Sequence, residues 1–336
     1  MKQYLLALAV AASGVAQAAD VVNVYSARKE ALILPLLERF SEQTGIEVQL
    51  ITGKADALVT RLKTEDVASP ADVFVTVDAG RAVRAKQAGV LGSMQGLEFL
   101  NPVPAQYVDP DHQWVALSLR ARVVYYNKAS GIDPNDIDTY AEAADPKNQG
   151  KLCIRSSSNI YNQSLVGALI EKQGQDATDA WAQGVVANMA RNPAGGDTDQ
   201  IRAVAAGVCD FAIANTYYFG RLMASDKAED KAVVDQIGLI WPDQAGEGTH
   251  INASMVGITK YAPNRANAER LIEFLLSDEA QRFYAEINHE FPVIEGVAAS
   301  KTMQTFGDFK PDRLPLQVLG VNNAAAVKTM DRAGWQ

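Results

Sequence analysis

The chain is poor in the residues from which most metal and thiol sites are built: 336 residues contain two cysteines and three histidines. Two cysteines without nearby histidines make a poor zinc set. His112 in a polar loop, His250 in a Gly-rich turn and His289 near an expected helix end do not pair at ligand spacing, and each is expected to be structural. A basic excess is also lacking. The formal net charge is −9, so the chain does not offer the cationic surface that nucleic acid or anionic lipid demands. No apolar run approaches the roughly 20 residues of a membrane-spanning helix, and direct insertion is not expected. Ser/His/Asp and Cys/His constellations, a Gly-rich phosphate loop and a carboxylate cluster with a histidine are all missing, which removes the common hydrolytic and phosphoryl-transfer designs. Repeats and low-complexity tracts are absent, and 48% hydrophobic with 21% charged residues describes an ordinary globular protein.

What is there begins with an export signal. Lys2 supplies a positive start, Tyr4 to Val10 an apolar stretch, and Ala16-Gln17-Ala18 a small-residue cleavage site, so residues 1–18 read as a signal peptide and the mature chain as starting at Ala19. No cysteine follows the expected cut, which argues for a product free in a periplasm rather than lipid-anchored. In an oxidising compartment Cys153 and Cys209 are expected to form a disulfide. Closing a loop of that length stabilises a fold by about 4 kcal/mol in the chain-entropy model.

Residues 19–336 are too many for one core of the usual size, and two domains are expected. VVNVYS, IEVQLITG and ADVFVTV read as strands, alternating with helical stretches from Ala31 to Gln43, ended by Gly45, and from Ala55 to Asp66. This is an α/β pattern, whose sites lie beyond the carboxyl ends of the strands, where Arg28 falls. The passages QWVALSLRARVVYYN and QIGLIWPDQ read as two crossings between lobes. The expected N-terminal lobe is 19–118 with 243–295, and the C-terminal lobe 119–242 with 296–336. Two crossings around a cleft allow hinge closure on a small ligand.

Two segments carry chemistry, SSSNIYNQSLVGALIEKQG and ANTYYFGRLMAS. Each reads as a helix start, capped by Ser158 or Asn159 in the first and by Asn215 or Thr216 in the second. That puts Tyr161, Tyr217 and Tyr218 in first turns, where unpaired N–H groups favour negative charge. A tyrosine has a pKa near 10, so three of them ionise at neutral pH only when a strongly positive ion replaces the protons. Ferric iron, small and highly charged, prefers anionic oxygen, and three phenolates cancel its charge. Remaining positions suit an external anion such as carbonate, held by a guanidinium fork; Arg28 and Arg120 are the candidates. Most of the eleven tyrosines are expected to be ordinary packing residues. Tyr125 and Tyr126, adjacent on a strand, point to opposite faces and are read as structural. Arg122, on the same strand face as Arg120, is read as making a surface or inter-lobe ion pair.

VNVYSAR, SPADVFVTVD, LRARVVYYN, CIRSSSNIYNQSL, GGDTDQIRAVAAGVCD and ANTYYFGRL together resemble the periplasmic ferric-ion-binding proteins of ABC importers, the bacterial transferrins. The resemblance implies a type II periplasmic-binding-protein fold, a cleft closing on one ferric ion, and a monomer that delivers it to an inner-membrane ABC permease. It also implies Tyr161, Tyr217 and Tyr218 as iron ligands. Some members add a histidine near the first strand and a glutamate after the third. Here no histidine stands near Arg28 and Lys29, and Val77 takes the glutamate's position, so the chain resembles the three-tyrosine branch. Asp78 and Glu30 are nearby carboxylates with no spacing that demands a metal role. Rival readings are the same fold holding an oxyanion or polyamine, and an exported enzyme with a tyrosine general base.

Overall fold

The computed structural model of the protein describes residues 20–336, so the expected signal lies outside it. The β-branched segments form strands as their pattern predicts: β1 is Val21–Ser26, β2 Glu47–Thr52 and β3 Val73–Thr76. Between them lie helices Leu34–Thr44 and Ala55–Glu65, the first buried through Leu36, Leu37 and Phe40. Gly45 ends that helix at φ 74°, a left-handed conformation that glycine adopts without penalty. The remaining strands are β4 Val115–Asn127, β5 Leu152–Cys153, β6 Phe211–Asn215, β7 Ile237–Ile240 and β8 Ile251–Ile258. Their order across the sheet is β2-β1-β3-β8-β4-β6-β5, with β7 paired to β4. The pairs β1–β2, β1–β3 and β5–β6 are parallel, and the pairs involving β8 or β4 antiparallel.

This is the two-lobed periplasmic-binding-protein architecture, and β4 is its hinge piece. From Val115 to Ala121 it pairs with β8; from Arg122 to Tyr126 it pairs with β6. The exchange of partners falls between Arg120 and Arg122. β7 pairs only with the far end of β4, from Val124 to Asn127, and the chain returns through 241–250 into β8. The apolar core falls into two clusters, the first of which runs across both sides of that exchange. One gathers Val22, Val24, Phe74, Val115 and Ile258; the other gathers Val124, Leu152, Leu165, Phe211 and Met330. The short helix Gln317–Val321 packs against both Ala79–Gln87 and Ile160–Gln173. Its approach needs Gly320, since a Cβ there would stand 2.3 Å from Val83 Cβ. Among the described residues no helix is long and apolar enough to cross a membrane.

Candidate metal centre

The disulfide expected from the two cysteines is present, with Cα atoms 5.8 Å apart. Cys153 ends β5, and Cys209 precedes β6. These strands run parallel, so their carboxyl ends open on the same edge, and each feeds a helix there. The first is Ile160–Gln173, capped by Asn159, whose side chain accepts from the Asn162 N–H at 3.2 Å. The second is Thr216–Met223, which follows Asn215 directly. Asn215 does not cap it through its side chain, because its Oδ1 accepts from Arg122 Nη1 at 3.0 Å instead. Two helix N-termini thus stand side by side, and Tyr161 and Tyr217 meet there: the Tyr217 hydroxyl donates to the Tyr161 oxygen at 3.2 Å. The Tyr217 and Tyr218 rings lie 4.2 Å apart. Arg221 covers both rings from 4.9 and 5.9 Å, and Arg120 lies 5.8 Å from the Tyr217 ring.

All three phenols are therefore gathered, and two of them are hard to ionise. Burial pushes the Tyr217 hydroxyl well above its usual value; Tyr161 and Tyr218 add to this, and Arg120 opposes it. The Tyr218 hydroxyl is pushed up to about 12, chiefly by burial, with Tyr161 and Asp197 contributing. At neutral pH both are neutral, and only a cation at the shared point makes them anionic. Among the described residues no group of three or more His, Cys, Asp or Glu side chains is placed to hold a metal.

The two candidate arginines are also together, but not bare. Arg28 Nη1 donates to Ser254 Oγ at 2.6 Å, and its Nη2 pairs with Glu290 at 2.7 Å. Arg120 donates to Ser254 Oγ and to the Val77 carbonyl, and stands 3.6 Å from the Glu290 carboxylate. Glu290 and Ser254 were not legible in the sequence as site residues. Neither belongs to a motif, and each reaches the arginines only through strand pairing far along the chain. Arg122 makes an ion pair, to Asp197 at 3.3 Å, with Arg155 3.7 Å from the same carboxylate, but the pair is buried rather than at the surface, because β4 and β6 enclose it. Asp197 also accepts from the Asn215 N–H at 3.0 Å, so this pair braces the start of the second tyrosine helix.

The ambiguous residues resolve into structural positions. Asp78 is buried as the N-cap of Ala79–Gln87, accepting from Asn252 at 2.7 Å and from Ser164, on the first tyrosine helix, at 3.0 Å. Glu30 is exposed. Tyr125 is buried with its hydroxyl 3.4 Å from the Asn215 and Thr216 carbonyls, whereas Tyr126 is half-buried. His112 lies in a turn, His250 is buried 3.7 Å from Asp312, and His289 is buried past a helix end.

Two lobes that bring phenols, helix N-termini and guanidinium groups together beyond the strand ends fit one class, a solute-binding protein. The description bacterial extracellular solute-binding protein matches residues 36–311, and the chain belongs to that family. It is 46% identical over 315 residues to Iron uptake protein A1 of Synechocystis sp., covering 94% of this chain and 87% of that protein. It is 24% identical to the Major ferric iron-binding protein of Neisseria meningitidis, over 98% and 97% of the two chains. Among solved structures it is similar to Trichodesmium FutA (IdiA) in complex with iron and citrate, with a TM-score of 0.89 and 47% identity over 94% and 100% of the chains. The ferric binding protein from Campylobacter jejuni also aligns with a TM-score of 0.89, at 38% identity over 94% and 100%.

Proposed function

We propose that this protein captures ferric iron in the periplasm through the phenolates of Tyr161, Tyr217 and Tyr218 and delivers it, as a monomer, to an inner-membrane ABC permease. The observation that carries the reading is the meeting of three phenols at two helix N-termini, Tyr217 to Tyr161 at 3.2 Å, with no competing cluster of His, Cys, Asp or Glu among the described residues. Relatives named for iron uptake and ferric binding support it. Three phenolates neutralise the ion, and an external anion such as carbonate completes its coordination beside Arg120 and Arg28. The N-terminal lobe, 19–118 with 243–295, closes on the C-terminal lobe, 119–242 with 296–336, about β4 and the return through 241–250. The role is transport, without turnover. Two buried guanidinium groups disfavour a polyamine, and a simple oxyanion does not call for three phenols.

A visible spectrum of the purified mature protein tests this. Adding ferric citrate with bicarbonate is expected to produce the reddish charge-transfer band of phenolate-bound ferric iron. No band under any anion would transfer the fold to a non-metal ligand.

A further inference from the structure

Glu290 is buried, at 4% exposure, between arginines exposed to 2% and 1%. Its position is set by pairing: Phe291 and Leu119 exchange backbone hydrogen bonds of 2.7 and 2.8 Å, which holds the segment after helix Asp278–Asn288 against β4. The next residue back, His289, lies against the second tyrosine helix; a Cβ on Gly220 would stand 2.9 Å from His289 Cβ. One Glu290 oxygen takes Arg28 at 2.7 Å and the Ser118 hydroxyl, while the other faces Arg120 at 3.6 Å. Burial pushes this carboxyl up, but Arg28, Arg120 and Ser118 hold it below its usual value, so it is a carboxylate at neutral pH.

The two contacts are unequal. Arg28 is tied by Glu290 and by Ser254, with its guanidinium 5.4 Å from the Tyr284 ring. Arg120 is the looser partner of Glu290 and the one that approaches Tyr217. Among the groups in direct contact, two guanidinium groups less one carboxylate leave a single positive charge, the complement of a monoanion; Asp78 also acts on Arg120 from further away. We infer that Glu290 is a positioning residue that sets how much anion this site needs and of what charge: it retains Arg28 and leaves Arg120 to be recruited by a monoanion such as bicarbonate. This rests on the ferric reading above.

The test uses the mature protein, with iron supplied as ferrous sulfate and oxidised by oxygen freed of carbon dioxide, so that neither a chelating anion nor bicarbonate accompanies it. The charge-transfer band is followed during titration with bicarbonate or oxalate in carbonate-free buffer. In wild type bicarbonate is expected to develop the band and to be used in preference to oxalate. Glu290→Gln leaves two positive charges, so the half-saturating anion concentration should fall by about tenfold, the scale of one charge-assisted hydrogen bond, and oxalate should overtake bicarbonate. Arg28→Gln turns Glu290 wholly onto Arg120, and half-saturation should rise by about the same factor. The double variant R28Q/E290Q removes the pair as a unit, and its half-saturation should fall between those of the two single variants. Opposite shifts in the single variants are not expected of residues that merely support the fold. If Glu290→Gln does not fold, Arg28→Gln and the double variant decide. Unchanged half-saturation, shifts in the same direction, or a full wild-type band without anion overturns this proposal while ferric binding stands; no wild-type band under any condition removes the ferric reading as well.

Discussion

The tyrosine side and the arginine side of the site are both polar, with Tyr217 and both arginines buried and Tyr161 and Tyr218 half-buried, yet they handle their polar groups in opposite ways. On the arginine side the charges are matched from within: Arg28 and Arg120 share Glu290 and Ser254. On the tyrosine side the phenols face one another, and burial holds Tyr217 and Tyr218 in their neutral forms. A buried charge without a partner is costly, whereas a neutral phenol with one hydrogen bond is cheap to keep. The arginine side is therefore largely paired within the protein, and the tyrosine side, on the reading proposed above, takes a cation.

The largest expected effect breaks the tyrosine side. Tyr217→Phe or Tyr218→Phe should lower ferric affinity by more than about a thousandfold, beyond the 10–100-fold usual for residues behind the ligands, while stability in urea changes by about 1 kcal/mol or less. Retained ferric affinity in chelator competition would end the assignment. Next comes the covalent tie beneath that side. Replacing Cys153 and Cys209 together by serine should cost about 4 kcal/mol in urea unfolding, from the 56-residue separation they close. A loss below about 1 kcal/mol would mean that the β5–β6 ladder needs no staple.

The arginine side should respond in the other currency. Ser254→Ala removes an acceptor shared by two buried guanidinium groups and should cost about 1–3 kcal/mol of stability, with far less loss of ferric affinity than Tyr217→Phe. Equal ferric losses in the two variants would erase the contrast. The smallest step concerns protons. Tyr217 and Tyr218 titrate above their usual range, so at neutral pH each must release a proton when iron binds, and acid favours the empty protein. Ferric affinity should therefore fall about tenfold per pH unit, roughly 1.4 kcal/mol, for each phenol that ionises. Affinity that is flat between about pH 6 and 8 would exclude phenolates as donors.

Legibility divides along the same line. Tyr161, Tyr217 and Tyr218 could be read because helix starts leave local marks, a capping Asn159 and a short strand before Asn215. Arg122 was legible as an ion-pairing residue, although its partner Asp197 was not. The side-chain cap expected at the second helix is not made, because Asn215 turns to Arg122 once β4 and β6 pair. Glu290 left no mark: it lies 262 residues from Arg28 and 172 from Ser118, and nothing local announces a contact of that range.

By itself the sequence determined the α/β alternation, the cysteine pair and three tyrosines at helix starts, because periodicity, caps and residue chemistry act over a few neighbours. Tertiary structure alone decided that parallel β5 and β6 would set two of those starts side by side, with the Tyr217 and Tyr161 hydroxyls 3.2 Å apart, and that the arginines would meet a carboxylate before any anion arrived. The reason is physical: strand order and the exchange of partners along β4 are set by packing of the whole chain, and only that packing brings together charges hundreds of residues apart.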